Sequence, residues 1–73
     1  MNFELFSEAI LTRDVPEEGL HAGDGGTVVE IYEVAGSETG YSIEFFDALG
    51  NTIAVVELPA SALRMPTDTE HSS

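Results

Sequence analysis

Gly23-Asp24-Gly25-Gly26-Thr27-Val28-Val29-Glu30-Ile31-Tyr32-Glu33-Val34 is the stretch whose reading decides the fold. Three glycines in four residues mark a tight turn, with a positive φ somewhere in it. Thr27 to Val34 is then rich in β-branched and aromatic residues, the composition of a strand. Working outward, Gly36-Ser37-Glu38-Thr39-Gly40 reads as a loop. Tyr41-Ser42-Ile43-Glu44-Phe45 alternates strictly, so Tyr41, Ile43 and Phe45 share one face of a strand and Ser42 and Glu44 the other. Asp47 to Asn51 is a hairpin loop with Gly50-Asn51 its tight point, and Thr52 to Leu58 is another strand.

Pro59-Ala60-Ser61-Ala62 suits a single helical turn, because proline at its start has no N–H to leave unpaired. Leu63-Arg64-Met65 makes a short last strand that Pro66 ends. Upstream, Ala9-Ile10-Leu11-Thr12 is the first strand, and Pro16 and Gly19 break the segment after it. Phe3 and Phe6 stand at i and i+3, on one face of a turn, and Leu5 or Phe6 is expected to plug an end of the fold. This order of elements predicts an all-β domain, a small five-stranded SH3-like barrel with one short helical turn before the last strand. The domain spans residues 1–66, and residues 67–73 read as a disordered polar tail. The alternation places Val29, Ile31, Ile43, Phe45, Val56 and Leu63 inside.

Seventy-three residues make one domain with a modest core. There is no cysteine, so no disulfide supports it, and a reducing compartment fits. Met1 to Glu8 lacks a basic leader and carries two acids, which argues against a secretory signal. No run approaches the ~20 apolar residues of a membrane span. The reading is a cytoplasmic, soluble protein.

Charge is the strongest compositional feature. Fourteen acids face two arginines and no lysine, for a formal net charge of −12. Nucleic acids and anionic membranes are both bound chiefly through basic side chains, so both are disfavoured as partners. A basic protein surface is favoured, since opposite charge speeds encounter.

Leu11-Thr12-Arg13-Asp14-Val15-Pro16-Glu17-Glu18-Gly19-Leu20, the Gly23 to Tyr32 run, Tyr41 to Phe45 and Leu58 to Leu63 together resemble the bacterial family called domain of unknown function 4926, over about residues 5 to 65. The combination of Asp-x-Pro, Gly-Leu and Gly-x-x-Gly-Thr-Val-Val carries the likeness. That resemblance implies a small SH3-like barrel and, for a small stand-alone protein, an antitoxin-like or immunity role. Relatives tend to have a basic residue where this chain has His21-Ala22, and a branched residue where Gly25 stands. The Gly23 to Val29 segment also resembles the KOW motif of ribosomal and transcription proteins, which implies a nucleic-acid-associated accessory module as the alternative function.

Catalysis by a nucleophile needs a base beside it, itself held by a third group. His71 falls in the tail, so His21 is the one candidate base, and Ser37, Ser42 and Ser61 lack motif context. No catalytic residue is assigned and no enzyme is expected. Glu17, Glu18, His21 and Asp24 lie close enough to suggest a cation loop, but their spacing matches no known loop and reads as a solvated acidic turn. No metal site and no cofactor are assigned.

The strand Ile53-Ala54-Val55-Val56-Glu57-Leu58 is apolar on both faces, and Val28, Tyr32 and Phe46 fall opposite the expected core positions. A barrel this small has one interior. Val28, Tyr32, Phe46, Ile53 and Val55 are therefore expected outside as an apolar patch, which marks an interface. Glu30, Glu44 and Glu57 form its acidic rim. The expected partner is a protein, basic or a second copy of the chain.

Overall fold

The computed structural model describes residues 3–67, and the glycine-led segment is its central strand. Strand β1 is Glu8–Leu11, β2 Gly25–Tyr32, β3 Gly40–Phe46, β4 Thr52–Pro59 and β5 Leu63–Arg64. Single 3-10 turns stand at Pro16–Glu18 and Ala60–Ala62. The strands form one antiparallel sheet in the order β4-β3-β2-β1-β5. That order, with a 3-10 turn before the last strand, is the topology of a small SH3-like barrel. The sheet curls into a half-barrel, and β4 and β5 remain as its two edges.

The curl starts at Gly26. A Cβ there would meet Ile43 Cγ2 at 2.6 Å, the Glu44 carbonyl oxygen at 2.7 Å and Phe45 Cδ1 at 3.0 Å. The Glu44 oxygen is backbone and cannot turn aside, so only glycine lets β2 lie this close to β3. The first half of β2 pairs with β1, Ala9 opposite Gly26, and the second half pairs with β3. Gly25 differs: its Cβ would meet Glu8 Oε2 at 2.8 Å and Ile10 Cδ1 at 3.0 Å, the ends of flexible side chains. The tight turn itself is made by Gly23, whose φ is 96°.

Two residues farther on, the β2–β3 register shifts. Val28 pairs with Ile43 and Glu30 with Ser42, which leaves Val29 as the extra residue of a β-bulge. The bulge reverses the alternation. Val28 and Ile31 now face inward together, opposite Ile43 and Tyr41. Val28 is 0% exposed. The expectation that Val28 lies outside is thus corrected, and Val29, expected inside, is half-buried at the bulge. Ile43, Phe45 and Leu63 are buried as expected, and Ile31 and Val56 pack partly buried against them.

The N-terminal segment closes one end of the core, through a different residue from those expected. Phe3 is buried, its ring edge-on to Tyr41 with centroids 5.2 Å apart, and its N–H donates to Tyr41 Oη at 3.3 Å. Leu5 and Phe6 point to solvent, Phe6 being 73% exposed. They occupy the middle of a turn in which the Ser7 N–H donates to the Glu4 carbonyl at 3.2 Å. Phe6 holds φ at 67°, a left-handed conformation unfavourable for a bulky residue. It is pinned there because the Phe6 N–H donates to the Val28 carbonyl at 2.6 Å and the Val28 N–H to the Ser7 carbonyl at 2.9 Å. The tail beyond Thr67 lies outside the described residues.

Acids near the turns serve the backbone. Asp14 Oδ1 accepts the Ala22 N–H and Asp24 Oδ2 the His21 N–H, each at 2.8 Å. Asp47 Oδ1 accepts the N–H groups of Asn51 and Leu49, both at 2.9 Å. The Asn51 N–H is the largest cause holding the Asp47 carboxyl below its ordinary value, ahead of that from Leu49.

Two outcomes follow from this packing. Gly26→Ala should destabilise the domain by about 1–3 kcal/mol through overpacking, whereas Gly25→Ala should be much milder, as urea unfolding of the two variants will show. Val28→Ala should cost about 2 kcal/mol by emptying the centre of the core. The same truncation at Val55 should change the urea midpoint little.

Candidate partner-binding face

Opposite the core, the curl presents one continuous outer face built from β2, β3 and β4. Across the strands, Glu30 stands beside Ser42 and Ser42 beside Glu57; Glu44 stands beside Val55; Phe46 stands beside Thr52. From the level of Tyr32, opposite Gly40, to Phe46 the face runs about 20 Å, at ~3.3 Å per residue. Of the residues assigned to a site from sequence, Tyr32, Val55, Glu30, Glu44 and Glu57 come together here, while Phe46 and Ile53 lie at its far end and line a shallow pocket with Leu20, Asp24, Gly25 and Phe45. Val28 does not, being in the core. A second register shift, between Phe45 and Phe46, makes Ile53 the extra residue of β4. Ile53 is 55% exposed, Val55 58% and Phe46 44%.

The polar centre of the face was missed from sequence. Ser42 is buried, and a buried hydroxyl needs a partner. Tyr32 leans across β3 to supply it. Tyr32 Oη donates to Glu30 Oε1 at 2.9 Å and lies 3.0 Å from Ser42 Oγ. Because the single phenol proton is committed to Glu30, Ser42 is the donor of the second bond. These bonds act on the phenol in opposite directions. The Ser42 bond, the largest influence, lowers its pKa. The bond to Glu30, partial desolvation, and the charges of Glu30 and Glu57 together outweigh it, so the pKa stands above the ordinary 10.0. A second side-chain bond steadies the other end: Thr52 Oγ1 donates to Glu44 Oε2 at 2.5 Å.

Beside Tyr32 the face dips into an open groove of about 510 Å3, bordered by Val34, Glu38, Glu57, Leu58 and Pro59. Glu38 is already engaged, accepting the Ser61 N–H at 2.8 Å. Glu57 is exposed. Aromatic ring, aliphatic walls and carboxylates are the surroundings that suit a cation on an aliphatic stem, by charge and by cation–π attraction. Neither arginine lies on this face, Arg13 preceding the first 3-10 turn and Arg64 sitting in β5.

Elsewhere the acidic turn shows no such convergence. Glu17 and Glu18 are exposed on the 3-10 turn, and His21 Nδ1 is 4.0 Å from Asp24 Oδ2. Among the described residues no group of three His, Cys, Asp or Glu is placed to hold a metal ion, and no helix is long and apolar enough to cross a membrane. His71 lies outside the described residues.

Fold and face define the molecule as a small acidic half-barrel with a mixed acidic and apolar outer surface. Residues 5–65 match the model of the family described as Domain of unknown function (DUF4926), and the chain belongs to that family. No curated protein and no solved structure matches it.

The network around Tyr32 makes a testable statement about pH. A phenol whose folded pKa is raised adds stability that is complete below the ordinary phenol value and is lost as pH rises through the folded one. In an ultraviolet titration of Tyr32, followed in a Tyr41→Phe background, Glu30→Gln should move the ionisation to lower pH. Ser42→Ala should move it to higher pH.

Proposed function

We propose that this domain is a non-enzymatic protein-interaction module of the cytoplasm, whose outer face covers a basic site on a partner protein in the manner of an antitoxin or immunity-type inhibitor. The observation that carries the reading is the composition of that face: exposed Val55 next to Glu30, Glu44 and Glu57, with exposed Ile53 and Phe46 at its far end and no basic side chain among them. Exposed apolar area supplies association energy at about 25 cal/mol per Å2, offset by the entropy lost on binding. The acids supply speed and selectivity.

The nucleic-acid-associated reading has less support. The glycines of its KOW-like segment have a packing role at Gly26 and a turn role at Gly23. A chain of net charge −12 also lacks the cations that displace counterions from phosphate.

The test is affinity capture from the native host, comparing the parent chain with Val55→Asp and Glu57→Gln, followed by binding kinetics on the captured partner. Val55→Asp should raise the dissociation rate, and Glu57→Gln should lower the association rate, which should also fall with added salt. A chain that stays monomeric and recovers no partner, or one that shows hydrolase or transferase activity, overturns the reading.

A further inference from the structure

The sheet leaves one long edge open. β4 is an edge strand of eight residues, with β3 as its one neighbour. The other edge, β5, is only two residues long. Long open edges are uncommon because their unpaired N–H and C=O groups invite another strand.

The direction of the free groups follows from the register. The Ala60 N–H donates to the Thr39 carbonyl at 2.9 Å, which makes that pair a hydrogen-bonded one. Bonded pairs recur at every second position of an antiparallel ladder. The bonded pairs are therefore Tyr41 with Leu58, Ile43 with Val56 and Phe45 with Ala54. Pro59, which has no N–H, falls opposite Gly40 at a non-bonded position, consistent with this phase. The N–H and C=O of Val55 and Glu57 hence point away from β3, and among the described residues no backbone bond outside the ladder uses them.

We propose that β4 accepts an extended, lysine- or arginine-bearing segment of the partner as a sixth strand, through the backbone of Val55 and Glu57. The proposal rests on the protein-binding reading and specifies its mode. Neighbouring strands lie about 4.8 Å apart, so alternate side chains of the added strand stand directly beside Val55 and Glu57 on the outer face. Lysines at both positions suit this face, an aliphatic stem lying on Val55 and a charge meeting Glu57 to extend the row Glu30–Ser42–Glu57. The intervening side chains meet Ala54 and Val56, which are only partly buried. A second copy of the chain fits poorly. Antiparallel pairing about Val55 sets each Glu57 against the other copy's Ile53 and brings two chains of −12 together.

The test uses the full chain and a blocked nine-residue peptide of alternating lysine and valine, at low salt. Amide hydrogen exchange and NMR titration report on Val55 and Glu57. Two further peptides carry backbone N-methyl groups on the lysines alone or on the valines alone, and a third replaces lysine by glutamate. Adding the parent peptide should slow exchange at Val55 and Glu57 at least tenfold. One of the two methylated peptides should bind at least tenfold more weakly, because a strand adds through one edge, and the glutamate peptide should not bind.

Equal binding by all three lysine peptides overturns strand addition while leaving a side-chain partner site intact. So does failure of the lysine–valine peptide to bind, if a captured partner is still lost on Val55→Asp. Protection of Val55 and Glu57 that rises with the chain's own concentration, without peptide, overturns the proposal in favour of self-pairing. Absence of both peptide and partner binding removes the parent reading as well.

Discussion

Gly26 lies where β2 passes over Ile43, Phe45 and the backbone of Glu44 with no room for a side chain. The remaining architecture depends on that contact. A single sheet has no second layer to bury its apolar face, and a chain of this length cannot supply one. The face is covered only if the sheet folds on itself. β2 does this by serving β1 along its first half and β3 along its second. The bulge at Val29, three residues after Gly26, adds twist where the strand changes partners. With Val28 and Ile31 turned to the same side, the curl gathers Ala9, Leu11, Ile43, Phe45, Leu58 and Leu63 around one interior. Phe3 against Tyr41 seals one end. The turn that brings Phe3 there holds Phe6 in a left-handed conformation, and its two backbone bonds to Val28 tie that local strain to the same strand.

The outer face inherits its character from this arrangement. β4 is apolar on both sides, and the interior takes only Ala54, Val56 and Leu58. Val55 and Ile53 are left to solvent because the core has no second surface for them. Toward the middle of the face the constraint is polar. Ser42 is buried there, Tyr32 covers and satisfies it, and Glu30 takes the phenol proton. The covering ring is also one wall of the groove beside Glu57. Core packing, a satisfied hydroxyl and a cation-friendly groove are thus consecutive consequences of how β2 and β3 meet.

The sequence showed some of this and concealed the rest for identifiable reasons. Strict alternation from Tyr41 to Phe45 exposed the inner face of β3 directly, and glycine and proline punctuation placed the loops and the turn before β5. Alternation failed on β2, because one bulged residue inverts every assignment on one side of it. Thr27 to Tyr32 carries no residue that announces a bulge, so Val28 and Val29 exchanged roles. Gly26 was legible as part of a turn, yet the need for it arises from Glu44, eighteen positions away. The N-terminal plug was equally hidden: Phe3, Leu5 and Phe6 are chemically interchangeable as plugs, and Tyr41 selects Phe3. On the outer face the acids and aliphatics could be named from the pattern, but the Tyr32–Ser42 contact depends on the shifted register.

The open edge and the acidity address one physical problem. An edge strand of eight residues is an aggregation hazard unless something discourages a second copy from pairing with it. Within the exposed backbone row, Glu57 is the one charged side chain, and Val55 and Ile53 offer no protection. Pro59 and the bulge at Ile53 shorten the usable edge to Val55 and Glu57, and the protection of that stretch is collective, the repulsion between chains that each carry −12. Such repulsion distinguishes strands by sign where a steric block would exclude all of them. It opposes another copy of this chain and favours a basic segment of the same extended shape. It also acts mainly within the ~8 Å screening length at physiological salt, so it operates on strands already near the edge. A steric cap over β4 would have protected the chain at the expense of every partner, whereas charge leaves the edge open to strands of one kind.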